Sequence, residues 1–575
     1  MRLMVSKSKN AQSLYAIKSV YENGKRSTKI VEKLGTLADL QKIHDDPILW
    51  AEQYIKELTQ KEKSEHREVI IKRTQSKRIT KNEQHSFNGG YLFLQQLYHE
   101  LKLHDICNTI SKRYKFIFDL DSILSRLVYG RIIFPSSKRT TYQLSQNFLE
   151  PPNFDMQHIY RALEVISLET EFIQSELYKN SLSISKRNDK VLYYDCTNFF
   201  FEIEQAEGLK QYGPSKEHRP SPIVEMGLFM DGDGIPLAFN IHSGNTNEQS
   251  TLRPLEETIM KDFSLSKFVV CTDAGLSSSD NRKFNNKGER AFITTQSVKK
   301  LKKHLKQWAL DESNWLLSGD NSGQKYNLAT LDESNEMKEK YQAKTFYKER
   351  WIKEDGLEQK LIVTFSLKYR DYQRSIRSSQ IERAKKLIES RPKDVKKHNQ
   401  NDYKRLIKTT GVTQDGEAAD ITLCELDESV IALEQMYDGF YAVCTNLEDD
   451  ATEISKINHK RWEIEECFRI MKTDFKARPV YLKRDDRIKA HFTTCFIALT
   501  LYRYLEKRLN GKFTTSEIMK GLRDMNFYEV PGEGYIPTYI RTDFTDALHD
   551  VFCFHTDYQI VSTKQMKKIF KDTKK

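Results

Sequence analysis

Asp195, Asp273 and Glu465 are the residues of this chain whose types and settings could do metal-assisted chemistry. Asp195 interrupts KVLYYDCTNFFFE, a run of Val, Tyr and Phe that predicts a strand. Asp273 closes KFVVCTD, a short buried strand. A carboxylate in apolar surroundings is costly unless a cation compensates it. Two or three that converge repel one another, and a divalent metal relieves that repulsion. Oxygen ligands with open water positions suit Mg2+ or Mn2+. Two such ions about 4 Å apart can activate a water or a 3′-hydroxyl and stabilise the leaving oxygen of a phosphodiester. Spacing does not identify the set: Asp195 to Asp273 is 78 residues (273 − 195) and Asp273 to Glu465 is 192 (465 − 273). Glu202, Glu225, Asp231, Asp233 and Asp280 compete for the role, and a lone Asp after a strand also serves as a turn or cap residue.

The element that must position Glu465 is INHKRWEIEECFRIMKTDF, residues 457 to 475, which predicts one helix. At about 100° per residue, with Arg461 at zero, Glu465 falls near 40°, Lys472 near 20° and Asn458 near 60°. Ile457, Ile464, Phe468, Met471 and Phe475 form an apolar stripe beside them, while Glu463 and Glu466 fall toward water. Glu465 is thus the carboxylate expected at the margin of a core. Arg461 and Lys472 would meet the phosphates of the same substrate, the Arg with a bidentate grip and the Lys as a point charge. The residues of this helix alone favour an ordinary amphipathic helix with an Arg461–Glu465 pair.

The flanking chain sets the architecture. With 575 residues, several domains are expected, and a net charge of +11 favours a polyanionic partner without requiring one. The eight cysteines form no CxxC pair, so they signal neither zinc nor a disulfide framework and are expected reduced. MRLMVSKSKN lacks the apolar core of a leader, and no run approaches the ~18 apolar residues of a membrane span. A cytoplasmic, nucleoid-associated protein with no membrane partner is the expectation. Residues 1–80 read as a β-hairpin about Asn23-Gly24 followed by a charged helix from about 45 to 78. Residues 81–187 are helical, a candidate DNA-binding region without a clear helix-turn-helix. Residues 188–300 run strand, strand, strand, helix, strand, helix, strand, which predicts a mixed α/β sheet. Within it, Asp231-Gly232-Asp233-Gly234 is a hairpin turn without calcium-loop spacing. The charged segment 301–430 looks inserted, 431–510 resumes the core texture, and 511–575 reads as a weakly informative tail with a solvated, lysine-rich end.

Several motifs together resemble a known family. Arg461-x3-Glu465-x6-Lys472 matches the Arg, Glu and Lys of the YREK signature of bacterial insertion-sequence DDE transposases, in the insertion-sequence-four group. YYDCTNFFFE and VVCTDAGLSS resemble the segments carrying that family's first and second Asp. GNTNEQSTL, RPVYLKRDDRIKAHF and the N-terminal EKLG also resemble family segments. The signature's Tyr falls at Asn458, a departure that bears on DNA contact and leaves the acids intact. The resemblance implies an RNase H-like α/β catalytic core (188–300 plus 431–510), a β-containing insertion that handles end DNA, and a mainly helical N-terminal region. It implies Asp195, Asp273 and Glu465 as catalytic metal ligands for two Mg2+ (or Mn2+), and Arg461, Lys472 and Asn458 as DNA-contacting positions. The implied reaction is cleavage at element ends and attack of the freed 3′-hydroxyl on target double-stranded DNA, without a covalent protein–DNA intermediate, by a homodimer. Two other readings remain: a catalytically impaired DNA-binding relative, and an RNase H-like nuclease without transposition.

Overall fold

The computed structural model describes residues 1–7, 12–22, 25–65, 69–71, 73–390, 395, 402–412 and 421–575. The chain divides into two compact units, Met1–Glu83 and Gln84–Lys575.

In the first unit β1 (Arg2–Lys7), β2 (Gln12–Glu22) and β3 (Lys25–Thr36) form an antiparallel sheet in that order. The expected hairpin is β2–β3, and its turn, Asn23-Gly24, lies outside the described residues. A short helix α1 (Leu37–Leu40) is capped by the Thr36 hydroxyl, and α2 (Pro47–Glu65) follows. Leu14, Leu40 and Ala51 form its small core. The helix expected to about 78 is described over Pro47–Glu65 and no longer continues at Val69; Ile70 and Ile79 are exposed, so no apolar face extends the packing there.

The second unit begins with β4 (Ser86–Asn88) and the helices α3 (Tyr91–Glu100), α4 (Leu103–Ser111), α5 (Leu120–Ile133), α6 (Lys138–Ser145), α7 (Met156–Leu168) and α8 (Thr170–Ser181). Then come β5 (Val191–Phe200), β6 (Ile223–Asp231), β7 (Pro236–Ser243), α9 (Leu252–Asp262), β8 (Val269–Thr272), α10 (Ser279–Phe284) and β9 (Ala291–Gln296), the order expected from sequence. The charged segment supplies α11 (Lys303–Leu310), β10 (Trp315–Leu317), β11 (Lys325–Tyr326), α12 (Asn335–Tyr341), β12 (Phe346–Glu354), β13 (Leu357–Phe365), α13 (Leu367–Glu389), β14 (Ile407–Val412), β15 (Ile421–Leu426) and α14 (Glu428–Gln435). After it come β16 (Phe440–Thr445), α15 (Ala451–His459), α16 (Trp462–Arg469) and α17 (Asp485–Arg508). The chain ends with α18 (Thr515–Asp524), β17 (Asn526–Val530), β18 (Gly534–Pro537), α19 (Asp543–Phe552), β19 (Val561–Ser562) and α20 (Thr563–Asp572).

The central sheet has the order β11-β10-β12-β13-β16-β9-β8-β5-β6-β7. Strands β5, β6 and β7 are antiparallel neighbours, whereas β5, β8 and β9 run parallel through the α9 and α10 crossovers. This is the strand arrangement of an RNase H-like core. Segment 301–430 does not stand apart from it: β13 pairs with β16, and β16 with β9, so the inserted strands prolong the core sheet. Its hairpin turns on Asp355 and Gly356, both at positive φ (50° and 78°), as a tight two-residue β-turn requires.

Helix α17 is buried on nearly every face, from Ile488 through Leu505, and packs on α5, α7 and β7. Helices of the 81–187 region therefore share one apolar core with the central sheet. The 511–575 tail, expected to be solvated at its end, is folded: β19-β18-β17-β4 form a sheet that joins both ends of this unit. A Cβ on Gly90 would lie 2.0 Å from the Leu522 carbonyl oxygen, so only glycine allows this approach. Met566 and Ile569 of α20 are buried at i, i+3 spacing under the lysines. Among the described residues no helix is long and apolar enough to cross a membrane.

Candidate active site

The parallel register of β5 and β8 pairs Val191 with Val269 and Tyr193 with Cys271. Two residues further on, Asp195 and Asp273 stand side by side where the two strands part. Asp195 Oδ1 accepts the Cys196 N–H at 2.8 Å, and Asp273 Oδ1 accepts the Leu276 N–H at 3.0 Å as the chain turns toward α10. Burial, with the charge of Asp273 added, pushes the Asp195 carboxyl up to about 6, against the opposing pull of Lys216 and Arg461. The two acids are hard oxygen donors whose repulsion the protein's own cations leave partly uncancelled. That donor chemistry fits a divalent ion such as Mg2+.

The helix carrying Glu465 differs from expectation. In an unbroken helix, Ile454 and Ile464 would be out of phase by roughly 80°, since ten residues advance about 1000°. Both are fully buried, α15 packing on β9 and α16 on β5. The chain re-phases by a tight turn, with Arg461 N–H bonded to the Asn458 carbonyl (3.2 Å) and Glu463 N–H to that of Lys460 (3.0 Å). Asn458 consequently leaves the polar stripe. It is 6% exposed, donates to the Tyr441 hydroxyl at 3.0 Å and receives the Cys271 thiol, so its amide is engaged within the protein.

Glu465 is exposed rather than at the margin of the core. Glu463 and Glu466, expected toward water, are half-buried and paired with Arg503 (3.2 Å) and Arg469 (2.6 Å). The reason is that Cys467 and Ile470, both fully buried, widen the apolar face on the Glu463 side. Beyond α16, Ile470–Asp474 form a π-helical turn that carries Lys472.

Arg461 and Lys472 do converge on the aspartates. Burial works against charge on Arg461, but Tyr441, Asp195 and Asp273 hold its guanidinium above the usual value, and its Nε is buried without a hydrogen bond. Lys472 Nζ donates to Thr197 Oγ1, two residues beyond Asp195, at 2.6 Å. Burial and the neighbouring Lys216 push it down to about 8. The structure therefore gathers Asp195, Asp273, Arg461 and Lys472. Glu465 stands four residues past Arg461 and seven before Lys472, and the three acids do not bring oxygens within 4.8 Å of one another.

Sequence reasoning missed Lys216, Glu248 and Tyr441 here, and it named Glu225 only as one of several competing acids. Lys216, from the loop after β5, donates to the Cys196 carbonyl and pairs with Glu248 at 3.3 Å. Glu248 belongs to the GNTNEQSTL segment, which thereby borders the site. Glu225 interacts with both, its carboxyl pushed up to about 8 by burial and by Glu248. Tyr441 puts a phenol beside Arg461, near the position where the signature's Tyr is absent. No spacing rule links these residues; loop closure and strand register bring them together.

The raised Asp195 value carries a stability consequence. An acid held above its unfolded value of 3.8 stabilises the fold below that pH and loses the contribution as pH rises through about 6. In metal-free protein, Asp195→Asn should therefore melt higher than wild type at pH 7.5. Thermal melts in EDTA from pH 4 to 8 test this: the gap should close toward pH 4.

The family model described as "Transposase DDE domain" matches residues 199–501. Asp273 and Glu465 fall inside that span, and Asp195 lies four residues before it. A search of curated proteins finds no match. Among solved structures, the chain is similar to one in the cryo-EM structure of the piggyBac transposase synaptic complex with hairpin DNA. The TM-score is 0.36 at 8% identity, covering 83% of this chain and 88% of that one. The family match takes in 303 residues (501 − 199 + 1) of 575, more than half, and the chain belongs to the transposase DDE domain family.

Proposed function

We propose that this DDE transposase moves a bacterial insertion sequence of the insertion-sequence-four group, with Asp195, Asp273 and Glu465 as its metal-binding acids. The observation that carries this reading is the β5–β8 register, which sets Asp195 beside Asp273 where Arg461 and Lys472 also arrive. Two Mg2+ (or Mn2+) ions, when bound by these carboxylates, would supply an activated water or 3′-hydroxyl and neutralise the leaving oxygen.

The chain's own residues do the rest. Arg461, with its Nε unpaired, and Lys472 grip the phosphate backbone of the element end. Glu465, an exposed side chain that follows Arg461 and precedes Lys472, would join the aspartates in holding the ions; catalytic contacts commonly tighten only in the complex. Water adds to phosphorus and the end's 3′-oxygen leaves as a hydroxyl. That hydroxyl then attacks a target phosphodiester and displaces the target's own 3′-oxygen. A homodimer holding two ends, acting on nucleoid DNA in the cytoplasm, is the assembly this chemistry calls for.

A supercoiled plasmid carrying the element's ends, incubated with the protein and Mg2+, tests the reading. Cleavage at the ends to free 3′-hydroxyls, followed by joining to a second plasmid, is expected. Binding without cutting would instead indicate a DNA-binding relative. Cutting without joining would indicate a nuclease.

A further inference from the structure

Far along the chain from the acids, the segment His549-Asp-Val-Phe-Cys-Phe-His555-Thr-Asp557 folds back on itself. Helix α19 ends at Phe552, and Cys553 takes a left-handed conformation (φ 57°) that reverses the chain. The reversal lays the His555 ring over that of His549, with centroids 5.4 Å apart and planes 13° from parallel. Asp557 accepts from His555 Nδ1 at 3.2 Å. One ligand atom from each of His549, His555 and Asp557 lies within 4.8 Å of the other two, the only such trio among the described residues.

His549 is 1% exposed. Its Nε2 meets the Thr556 hydroxyl at 2.9 Å. Its Nδ1 is buried without a hydrogen bond of ordinary geometry, though the Thr545 carbonyl one turn back acts on the ring. Burial, together with nearby His555, holds His549 below the usual imidazole range despite Asp557, so the ring is neutral and keeps a lone pair. A histidine oriented by a carbonyl on its own helix is a common arrangement around a bound metal.

We propose that His549, His555 and Asp557 form a second metal site, for a transition-metal ion of the zinc class, that pins the loop 553–560 to α19. Two imidazoles and one carboxylate suit zinc, whereas Mg2+ prefers oxygen alone. Ligand atoms on a tetrahedral zinc sit roughly 3–3.5 Å apart, so the two stacked rings would tilt to converge on the ion and leave a fourth position for water. The pinned loop is already seated by Phe554, stacked on Phe93 of α3 at 4.7 Å, and by Thr556, which also meets the Tyr539 hydroxyl at 3.2 Å. Arg541 approaches Asp557 at 3.8 Å but is engaged with Asp546 at 2.6 Å, which leaves the carboxylate available. The role is structural: the ion ties the end of α19 to the strand that follows.

The full chain, without a histidine tag and stripped with EDTA, tests this by titration with Zn2+ against a chromophoric chelator in millimolar Mg2+. One saturable equivalent is expected, along with a zinc-dependent rise in melting temperature. His555→Ala and Asp557→Asn change residues at the rim of the site and should melt like wild type in EDTA. Each should weaken binding by roughly a hundredfold or more and abolish the zinc-dependent rise. Asp195→Asn should keep the equivalent, which separates it from the site beside β5. Absence of a saturable equivalent, or its retention by either rim variant, overturns the proposal.

Discussion

Asp195→Asn, Asp273→Asn and Glu465→Gln are each expected to reduce cleavage at element ends by about a thousandfold or more while leaving end binding within a few-fold of wild type. Metal stabilisation of developing charge contributes several kcal/mol, and each 1.36 kcal/mol is a factor of ten. The substitutions remove one anionic oxygen each and change little else. Binding persists because Arg461 and Lys472 remain, and phosphate contacts dominate affinity for DNA. Gel-shift and nicking assays on the same DNA measure the two effects separately. Glu465→Gln is the most informative of the three, because Glu465 alone is exposed. Nicking near the wild-type rate by that variant would remove Glu465 from the metal set, and Glu225 or Glu248, already beside Lys216, would take its place as candidates.

The second large effect concerns stability. Arg187 and Asp231 form an ion pair whose side chains are 2% and 0% exposed. The guanidinium also donates to Ser181 Oγ at 2.9 Å and to the Ile235 and Pro236 carbonyls at 3.2 and 3.1 Å. Asp231 Oδ1 accepts the N–H groups of Asp233 (3.0 Å) and Ile235 (2.9 Å), which shapes the Asp-Gly-Asp-Gly turn, with Gly234 at φ 78°. Arg187→Ala leaves a buried carboxylate without its cation and should cost about 3–5 kcal/mol. Thermal melting would show a fall of several degrees or more. Adding Asp231→Asn should recover part of the loss, because the amide oxygen still serves the turn and no charge remains to be paired. Equal melting of Arg187→Ala and wild type would mean that water reaches the pair.

Much of this arrangement is legible from sequence where local pattern and tertiary demand agree. The β5 and β8 aspartates stand out because one charge interrupts a run of Val, Tyr and Phe, and Asp355-Gly356 announces its own turn. The reading fails where distant packing overrides local periodicity. Residues 457–475 contain no Gly or Pro, so nothing local signals the break after Lys460; it exists because Ile454 and Ile464 must face different strands. In segment 301–430, where Trp315 is fully buried, the charged composition hides strands that continue the core sheet. The tail misleads because lysines outnumber the few apolar residues of α20 that are nonetheless buried. Lys216 and Tyr441 reach the site through loop closure and strand register, which one-dimensional spacing does not encode.

The continuity of the central sheet also bears on how the chain is made. Strand β9 ends at Gln296, and its partner β16 begins only at Phe440, 144 residues later (440 − 296). At roughly 5–20 residues per second, translation takes on the order of 7–30 s to cover that distance. During that interval the nascent polypeptide carries an unpaired edge, Ala-Phe-Ile-Thr-Thr-Gln, with the apolar and β-branched character that invites intermolecular pairing. Synthesis would therefore be the stage at which aggregation threatens most, and slower elongation between these two strands should lower the yield of native transposase.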